Sequence, residues 1–387
     1  MSFGTLVVVV LAGFAGPLLG FAGGRFVPVV IGEILAGVLV GPAVLGAVHP
    51  AQATISFLGE VGFAMLMLTV GMHLPLRDRR LAAALRRGGL VAAIVCALAV
   101  PGGLAAAAAA GGGHAAIYAV LLASGSAAVL LPALEEAGVA TPAAMVVMAQ
   151  VTLADLITIL SVPVVLQPGR LGHAALGGAL VIAAGAALLA LARALAGRAW
   201  VHRLRHRSKR RHWALDLRLA LLVLFLLAWI AQRSATSVLI AGFAAGVMVA
   251  VLGGPKRLST QVRGVADGFF IPLYFVVLGA QLDLAGLVRH PTLLLLAGVL
   301  AALNAVIHLL AARLTGGALA GGLAASAQLG VPAAVASLGL AEHVLSAGVA
   351  TAIIAAALVS LGLCTAGVQR LVRAAPPVAT AGVPARP

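Results

Sequence analysis

The sequence is a near-continuous succession of apolar runs, most about twenty residues long, set apart by short segments bearing Gly, Pro or Arg. That spacing constrains the fold more than any motif does. A helix crossing the hydrocarbon of a bilayer needs about 20 predominantly apolar residues. Within lipid the backbone must satisfy its own polar groups, so only helices and closed barrels can span. Runs of this length select helices. Thirteen can be counted, at about 4–22, 27–46, 54–74, 88–110, 114–134, 142–166, 172–196, 215–232, 236–253, 265–284, 291–314, 319–341 and 346–371. Composition agrees, because charged residues make up only 9% of the chain, against about 25% in ordinary globular domains. The expected fold class is an all-α polytopic membrane protein with about 13 transmembrane helices within residues 1–373.

A formal charge of +15 would suggest nucleic acid in a soluble protein. Here the basic residues lie between apolar runs and no soluble module accompanies them, so the expected partner is the lipid bilayer and not nucleic acid. With the N-terminus outside, alternation places 22 of the 25 Lys and Arg on the cytoplasmic side and leaves only Arg170, Arg233 and Arg289 opposite. This division follows the positive-inside rule. An odd number of spans then puts the C-terminus inside, in a bacterial inner membrane. The basic loop around Arg203–Arg211 is read as an orientation anchor that contacts anionic lipid. No basic stretch precedes Leu6–Leu19, so the first run is read as a retained span. Residues 374–387 are small and Pro-rich, which predicts a disordered tail, and no nucleotide-binding domain follows the last span. Cys96 and Cys364 sit in apolar stretches without metal-type spacing and read as packing residues.

Three places break the pattern of a plain lipid-facing helix. Span 5 carries Ser124, Gly125 and Ser126 near its middle, and span 12 carries Gln328, Gly330 and Pro332. Such breaks free backbone groups, which persist only where protein or water surrounds them. Close-packed Gly/Ser helix contacts are the plainer alternative. The breaks occupy matching positions if spans 1–6 and 8–13 form two inverted six-helix repeats with span 7 between them. Paired interruptions of this kind point to a transport site near the membrane midplane. The third place is span 6, where Asp155 lies halfway along, with Thr152 and Thr158 three residues to either side on the same face. A charged Asp at a helix centre costs about 2.5–3.5 kcal/mol on insertion scales, and such residues mark ion or proton paths unless an interhelical partner gives them a structural role. Asn304 and His308 share a face of span 11, with an interhelical hydrogen bond as their default reading. Glu33 and Glu60 stand nearer the ends of spans 2 and 3, where they could meet an interface or a water-filled cavity.

Glu33–Pro42 (EILAGVLVGP) resembles the second-helix motif of bacterial Kef/Nap-type monovalent cation:proton antiporters. Leu58–Leu68 with Val70-Gly-Met72 looks like their next helix, and Phe269–Gly279 followed by Leu282-Asp283 is similar to their Pro-aromatic-Gly segment. The resemblance implies a homodimer and an elevator-like motion of a core domain against a dimerisation domain. The core would be roughly residues 88–166 and 291–371, the dimer side 4–74 and 215–284, and the linker helix 172–196. Spans 5 and 12 would be crossed, discontinuous helices, and Asp155 falls on the family's ion-binding aspartate. The chain departs from the family at Ala154, where many members carry a second acid or an asparagine. Asn304 lies near a lysine of electrogenic members, Gly125 replaces a customary threonine, and Val331 replaces a common glutamate.

These readings predict a secondary active transporter and not an enzyme, with no cofactor, in which Na+ or K+ competes with a proton for Asp155. Thr152, Thr158, Ser126 and Asn304 are the further ion- or proton-binding candidates, and Ser124, Gly125, Gln328 and Gly330 the unwound positions. With no second acid and no lysine, exchange is expected to be one-for-one and electroneutral. Two rival readings stay open: an inverted-repeat carrier of an organic solute, and a family relative that does not transport.

Overall fold

The computed structural model describes residues 2–22, 29–74, 79–139, 141–167, 169, 171–211, 213–234, 236–253 and 256–374. Arg25, Arg77, Arg170 and the tail from 375 onward therefore lie outside the described residues. Every regular element described is helical. Among the described residues, ten helices are long and apolar enough to cross a membrane: Phe3–Phe21, Ala53–Met72, Ala83–Ala109, Pro142–Leu166, Leu176–Ala196, Leu215–Arg233, Arg257–Ala280, Pro291–Leu314, Leu319–Ala341 and Ala347–Arg373. Three shorter apolar helices, Val29–Val40, Ala115–Leu131 and Val238–Leu252, fall on the runs numbered 2, 5 and 9. Each of the thirteen apolar runs thus holds helix, continuous or interrupted, and the span numbers are kept below.

The helices pack in two groups. Spans 4, 5 and 6 lie on one another and on spans 11, 12 and 13. Spans 2, 3, 9 and 10 form the second group, with span 1 against spans 2 and 10 and span 8 against span 9. Span 7 touches spans 6, 8 and 9, so it runs along the boundary. Glycines explain the tightness of the second group. A Cβ on Gly37 would run into the carbonyl of Val276, and one on Gly279 would run into the carbonyl of Ile34, so spans 2 and 10 cross backbone to backbone. Gly71 and Gly246 do the same for spans 3 and 9, since a Cβ on Gly246 would meet Gly71 Cα at 2.8 Å. Small residues at helix crossings allow the close approach on which packing in lipid depends. Gly37, Gly71 and Gly279 belong one to each of the three family-like segments, and Gly246 lies outside them.

The outward surfaces are apolar. Phe3 and Phe21 of span 1 are 88% and 91% exposed, and Leu222, Phe225 and Trp229 of span 8 are exposed as well. In water so large an apolar surface would drive association; hydrocarbon is its natural solvent.

The sequence pattern missed three local features. Span 1 bends at Phe14, between helices Phe3–Gly13 and Ala15–Ala22. Span 10 is entered through an amphipathic helix, Lys256–Val265, and a single π-helical turn, Ala266–Phe270, before Ile271–Ala280. The segment around Arg203–Arg211, expected as a loop, is mostly a helix, Ala199–Arg210. Its charge hid the periodicity of the few apolar residues it contains.

Candidate functional site

Span 5 is two helices, Ala115–Ala123 and Ala127–Glu136, separated by Ser124, Gly125 and Ser126, with Ser124 and Ser126 in extended backbone. Span 12 is likewise two helices, Leu319–Ala325 and Gly330–Ala341. Its break lies over Ser326–Leu329, slightly earlier than expected: Gly330 opens the second half-helix, and Pro332 sits in that helix's first turn. There its missing N–H would have had no intrahelical acceptor in any case. Gln328 falls inside the break.

The ends freed by the first break are met by side chains. At the N-terminus of the second half-helix, the backbone N–H of Ala127 donates to Asp155 Oδ2 at 2.8 Å. The partial positive charge of a helix N-terminus favours an anion there. Asp155 is only 3% exposed. It stands thirteen residues into Pro142–Leu166, which is about 20 Å of helical rise. Among the described residues no charged side chain acts on it, so its only partner is a backbone amide. At the other freed end, the carbonyl of Leu121 accepts from Ser124 Oγ at 2.7 Å and from Gln328 Nε2 at 2.5 Å. A residue of the second break thus holds the first.

The second break is tied in turn to span 11. Asn304 Nδ2 donates to the carbonyl of Ser326 at 2.8 Å, and Asn304 Oδ1 accepts from Gln328 Nε2 at 3.0 Å. The backbone N–H of Gln328 donates to Ser360 Oγ of span 13 at 3.0 Å. His308 lies one turn on, its Nδ1 2.9 Å from the carbonyl of Asn304. Asn304 makes the interhelical bond expected of the Asn304–His308 face, while the bond of His308 stays within its own helix.

Around Asp155 the expected residues separate by role. Thr158 is buried and donates back to the carbonyl of Ala154 at 2.7 Å, which leaves its lone pairs free but its proton engaged. Thr152 is 1% exposed, and its hydroxyl has no hydrogen-bond partner among the described residues. A buried polar group left unpaired costs about 1–3 kcal/mol, so such an oxygen calls for an explanation. Ser126 is buried one residue before Ala127, Ser124 is turned to Leu121, and Ala154 is buried beside Asp155. A Cβ on Gly125 would meet Val151 Cγ1 at 2.9 Å. Span 6 therefore fills the space that the family's threonine would need. The structure brings Asp155 to the first break next to Ser126, leaves Thr152 and Thr158 buried on span 6 three residues to either side of Asp155, and places Asn304 and Gln328 in the network that binds the two breaks together. The sequence reading missed Ser360 and the bridging role of Gln328. A lone serine in an apolar run is too common a signal, while a buried glutamine is rarer and was the better clue.

A cavity of about 770 Å³ opens where spans 6, 8, 10 and 12 end and span 3 begins, lined by Glu60, Pro163, Gln232, Tyr274, Ser337 and Glu342 among others. Among the described residues, no Lys or Arg lines it. By the charge count this is the basic-poor side. Asp155 is not part of its wall; Pro163, on the same helix, stands eight residues or about 12 Å of rise beyond it. Glu60 thus meets a cavity, as expected, and accepts from Gln232 Nε2 at 3.4 Å, whereas Glu33 is buried in span 2. Tyr274 closes one flank, donating to the carbonyl of Ala333 at 3.0 Å between the two helix groups.

A buried carboxylate thus caps an interrupted helix inside an apolar multi-helix body, the body of a multi-pass membrane protein. The transmembrane model of the sodium/hydrogen exchanger family matches residues 6–374, and the chain belongs to that family of cation:proton antiporters. It is accordingly a transporter and not an enzyme. Its fold is similar to that of the sodium proton antiporter MjNhaP1 from Methanocaldococcus jannaschii, with a TM-score of 0.60 over 95% of each chain at 18% identity. No curated protein sequence matches the chain.

Proposed function

We propose that this chain exchanges one monovalent cation, Na+ or K+, for one proton per cycle at Asp155, without net charge movement. The observation that carries the reading is the bond from Ala127 N–H to the buried carboxylate; Thr152, three residues earlier on the same helix, has a buried hydroxyl with no partner among the described residues. Hydrocarbon penalises the charged form of any carboxylate, and a desolvated cation favours it, so the two ligands exclude one another. Asp155 supplies the charge. Thr152 Oγ1, lone pairs of Thr158 and Ser126, and the carbonyls freed at the break complete an oxygen shell for the cation. Asn304 acts one layer out, holding the second break in place, and contributes no charge.

Stoichiometry follows from charge counting. The protonated site and the cation-loaded site are both neutral, so both can cross. A bare carboxylate carries a penalty of about 2.5–3.5 kcal/mol at a helix centre, roughly a hundredfold in population. That penalty suppresses empty crossings and couples the two fluxes. Neither Ala154 nor Asn304 adds a second titrating charge.

Alternation is read as elevator-like: the group of spans 4–6 and 11–13 would slide against spans 1–3 and 8–10 of a homodimer, with span 7 as linker. The two groups of mutually packed helices support this division. The inverted relation of the two six-helix halves is supported by their matching breaks. The chain is placed in a bacterial inner membrane with its N-terminus outside and its C-terminus in the cytoplasm, on the division of Lys and Arg.

The test is dissipation of a pH gradient by each alkali cation in everted vesicles. Wild type should respond to Na+ or K+, and Asp155→Asn should not. The Asn side chain can still accept from Ala127 N–H, so the variant is expected to fold and insert normally. Cation-dependent dissipation persisting in Asp155→Asn would refute the assignment.

A further inference from the structure

The helix Ala199–Arg210 (AWVHRLRHRSKR) packs against spans 7 and 8 and has no acidic residue. At 100° per residue, Trp200, Val201, Leu204 and Ser208 fall within one arc of about 100°. Arg203, His206, Arg207 and Arg210 lie outside that arc, and all four are exposed. One end of the apolar arc is docked. Ser208 is buried, its Oγ accepting from Leu215 N–H at 3.3 Å and its carbonyl from Trp213 N–H at 3.1 Å, where the chain turns into span 8. The other end is uncovered: Trp200 is 52% exposed and Leu204 36%. Trp213, just past the helix, is 40% exposed with the guanidinium of Arg211 5.7 Å from its ring centroid.

A nucleic acid or an acidic polypeptide would use the positive face and leave the indole and leucine in water. A bilayer surface uses both. Apolar side chains of an amphipathic helix enter the boundary between headgroups and acyl chains, while Lys and Arg meet anionic headgroups. Indole rings favour that depth. The placement agrees, because the helix lies at the junction of spans 7 and 8, where the chain reaches a membrane surface.

We propose that Ala199–Arg210 is an in-plane interfacial helix that binds anionic phospholipid headgroups through Arg203, Arg207 and Arg210, with Trp200 and Leu204 inserted beneath them. Each basic side chain near an anionic surface contributes about fivefold to local partitioning. Removing three should therefore abolish most of the response to lipid charge.

The chain contains three tryptophans, Trp200, Trp213 and Trp229. In a Trp213→Phe/Trp229→Phe variant, Trp200 alone reports on the helix. The full chain is reconstituted in phosphatidylcholine liposomes, with or without phosphatidylglycerol, carrying acyl chains brominated near the headgroup. Expected is bromolipid quenching of Trp200 that grows severalfold with the anionic lipid, with matching protection from aqueous iodide. Arg203→Gln/Arg207→Gln/Arg210→Gln should lose that increment, and so should high salt, which shortens the screening length from about 8 Å to about 3 Å. Equal iodide access in both liposomes would overturn the proposal, as would a triple variant indistinguishable from its parent. Protection that appears only on adding RNA would overturn it in favour of a nucleic acid partner. The readout needs no transport, so its failure is distinct from failure of the antiport reading.

Discussion

A membrane potential imposed at fixed ion gradients separates one-for-one exchange from any scheme with a second titrating group. In span 6 the site holds one carboxylate, Asp155, with a buried alanine at 154. The amide of Asn304 is occupied by Ser326 and Gln328. In the proposed cycle the translocated unit is neutral with a proton and neutral with a cation, so the potential would do no work on it. Were a second proton carried per cation, each cycle would move one net charge. A potential of 100 mV would then contribute about 2.3 kcal/mol and displace the equilibrium cation gradient by roughly fiftyfold. A gradient of one pH unit, worth about 1.36 kcal/mol, sustains about a tenfold cation gradient in the one-for-one case, with or without the potential. The assay is radiolabelled cation uptake into proteoliposomes at a set pH difference, the potential being imposed by a thiocyanate gradient so that no alkali ionophore interferes. Unchanged final uptake is expected. A potential-driven shift approaching fiftyfold, or uptake driven by the potential alone, would refute the charge count and implicate an ionisable group outside span 6.

Thr152→Val should separate affinity from stability. Removing an unpaired buried hydroxyl at nearly constant volume is expected to raise thermal stability by about 1 kcal/mol, while KM for the cation rises severalfold and kcat changes little. Unchanged KM would show that Thr152 Oγ1 is not a ligand. Gln328→Leu removes the donor that Asn304 Oδ1 relies on, at a cost of about 1–3 kcal/mol. The melting temperature of the detergent-solubilised protein should fall accordingly, with transport lost before the fold is. A variant as stable as its parent would mean that the two breaks are held together by other contacts.

The spans were legible because each run had to satisfy its backbone in lipid, and length and apolarity suffice to mark that. The first break was legible for a related reason: Ser124, Gly125 and Ser126 together have no use in a lipid-facing helix. Asp155 stood out because a charge at midspan needs a purpose. Less was readable where the determinant is a contact across the fold. The bond from Asp155 to Ala127 joins residues 28 apart, and that from Gln328 to Leu121 joins residues 207 apart. No local pattern encodes either. Pro332 suggested a break at its own position, but a proline is at ease in the first turn of a helix, so the unwound residues lie before it. The surface helix escaped notice because seven of its twelve residues are Arg, Lys or His, which lowers its hydropathy below that of a loop.

The two interruptions solve one electrostatic problem from opposite ends. Breaking span 5 creates a half-helix C-terminus at Leu121 and an N-terminus at Ala127, partial charges that hydrocarbon would not tolerate unpaired. Gln328, a neutral donor, meets the negative end, and Asp155 meets the positive one. Only the second partner can change charge. When Asp155 takes up a proton or a cation, the field at Ala127 changes, while the bonds of Gln328 and Asn304 are unaffected in number and kind. Under the proposed exchange at Asp155, the frame that carries the site could therefore stay rigid while proton and cation trade places. Across the boundary between the helix groups, by contrast, the direct hydrogen bonds include those of Tyr274 to the carbonyl of Ala333 at 3.0 Å and to the Ser337 side chain, and that of Asp283 N–H to Thr351 Oγ1 at 2.9 Å. One hydrogen bond is worth about 0.5–1.5 kcal/mol net. In the proposed elevator-like cycle, bonds of that size would have to break and re-form as the groups slid, whereas the bonds joining Gln328 to Leu121 and Asn304 would travel with the site.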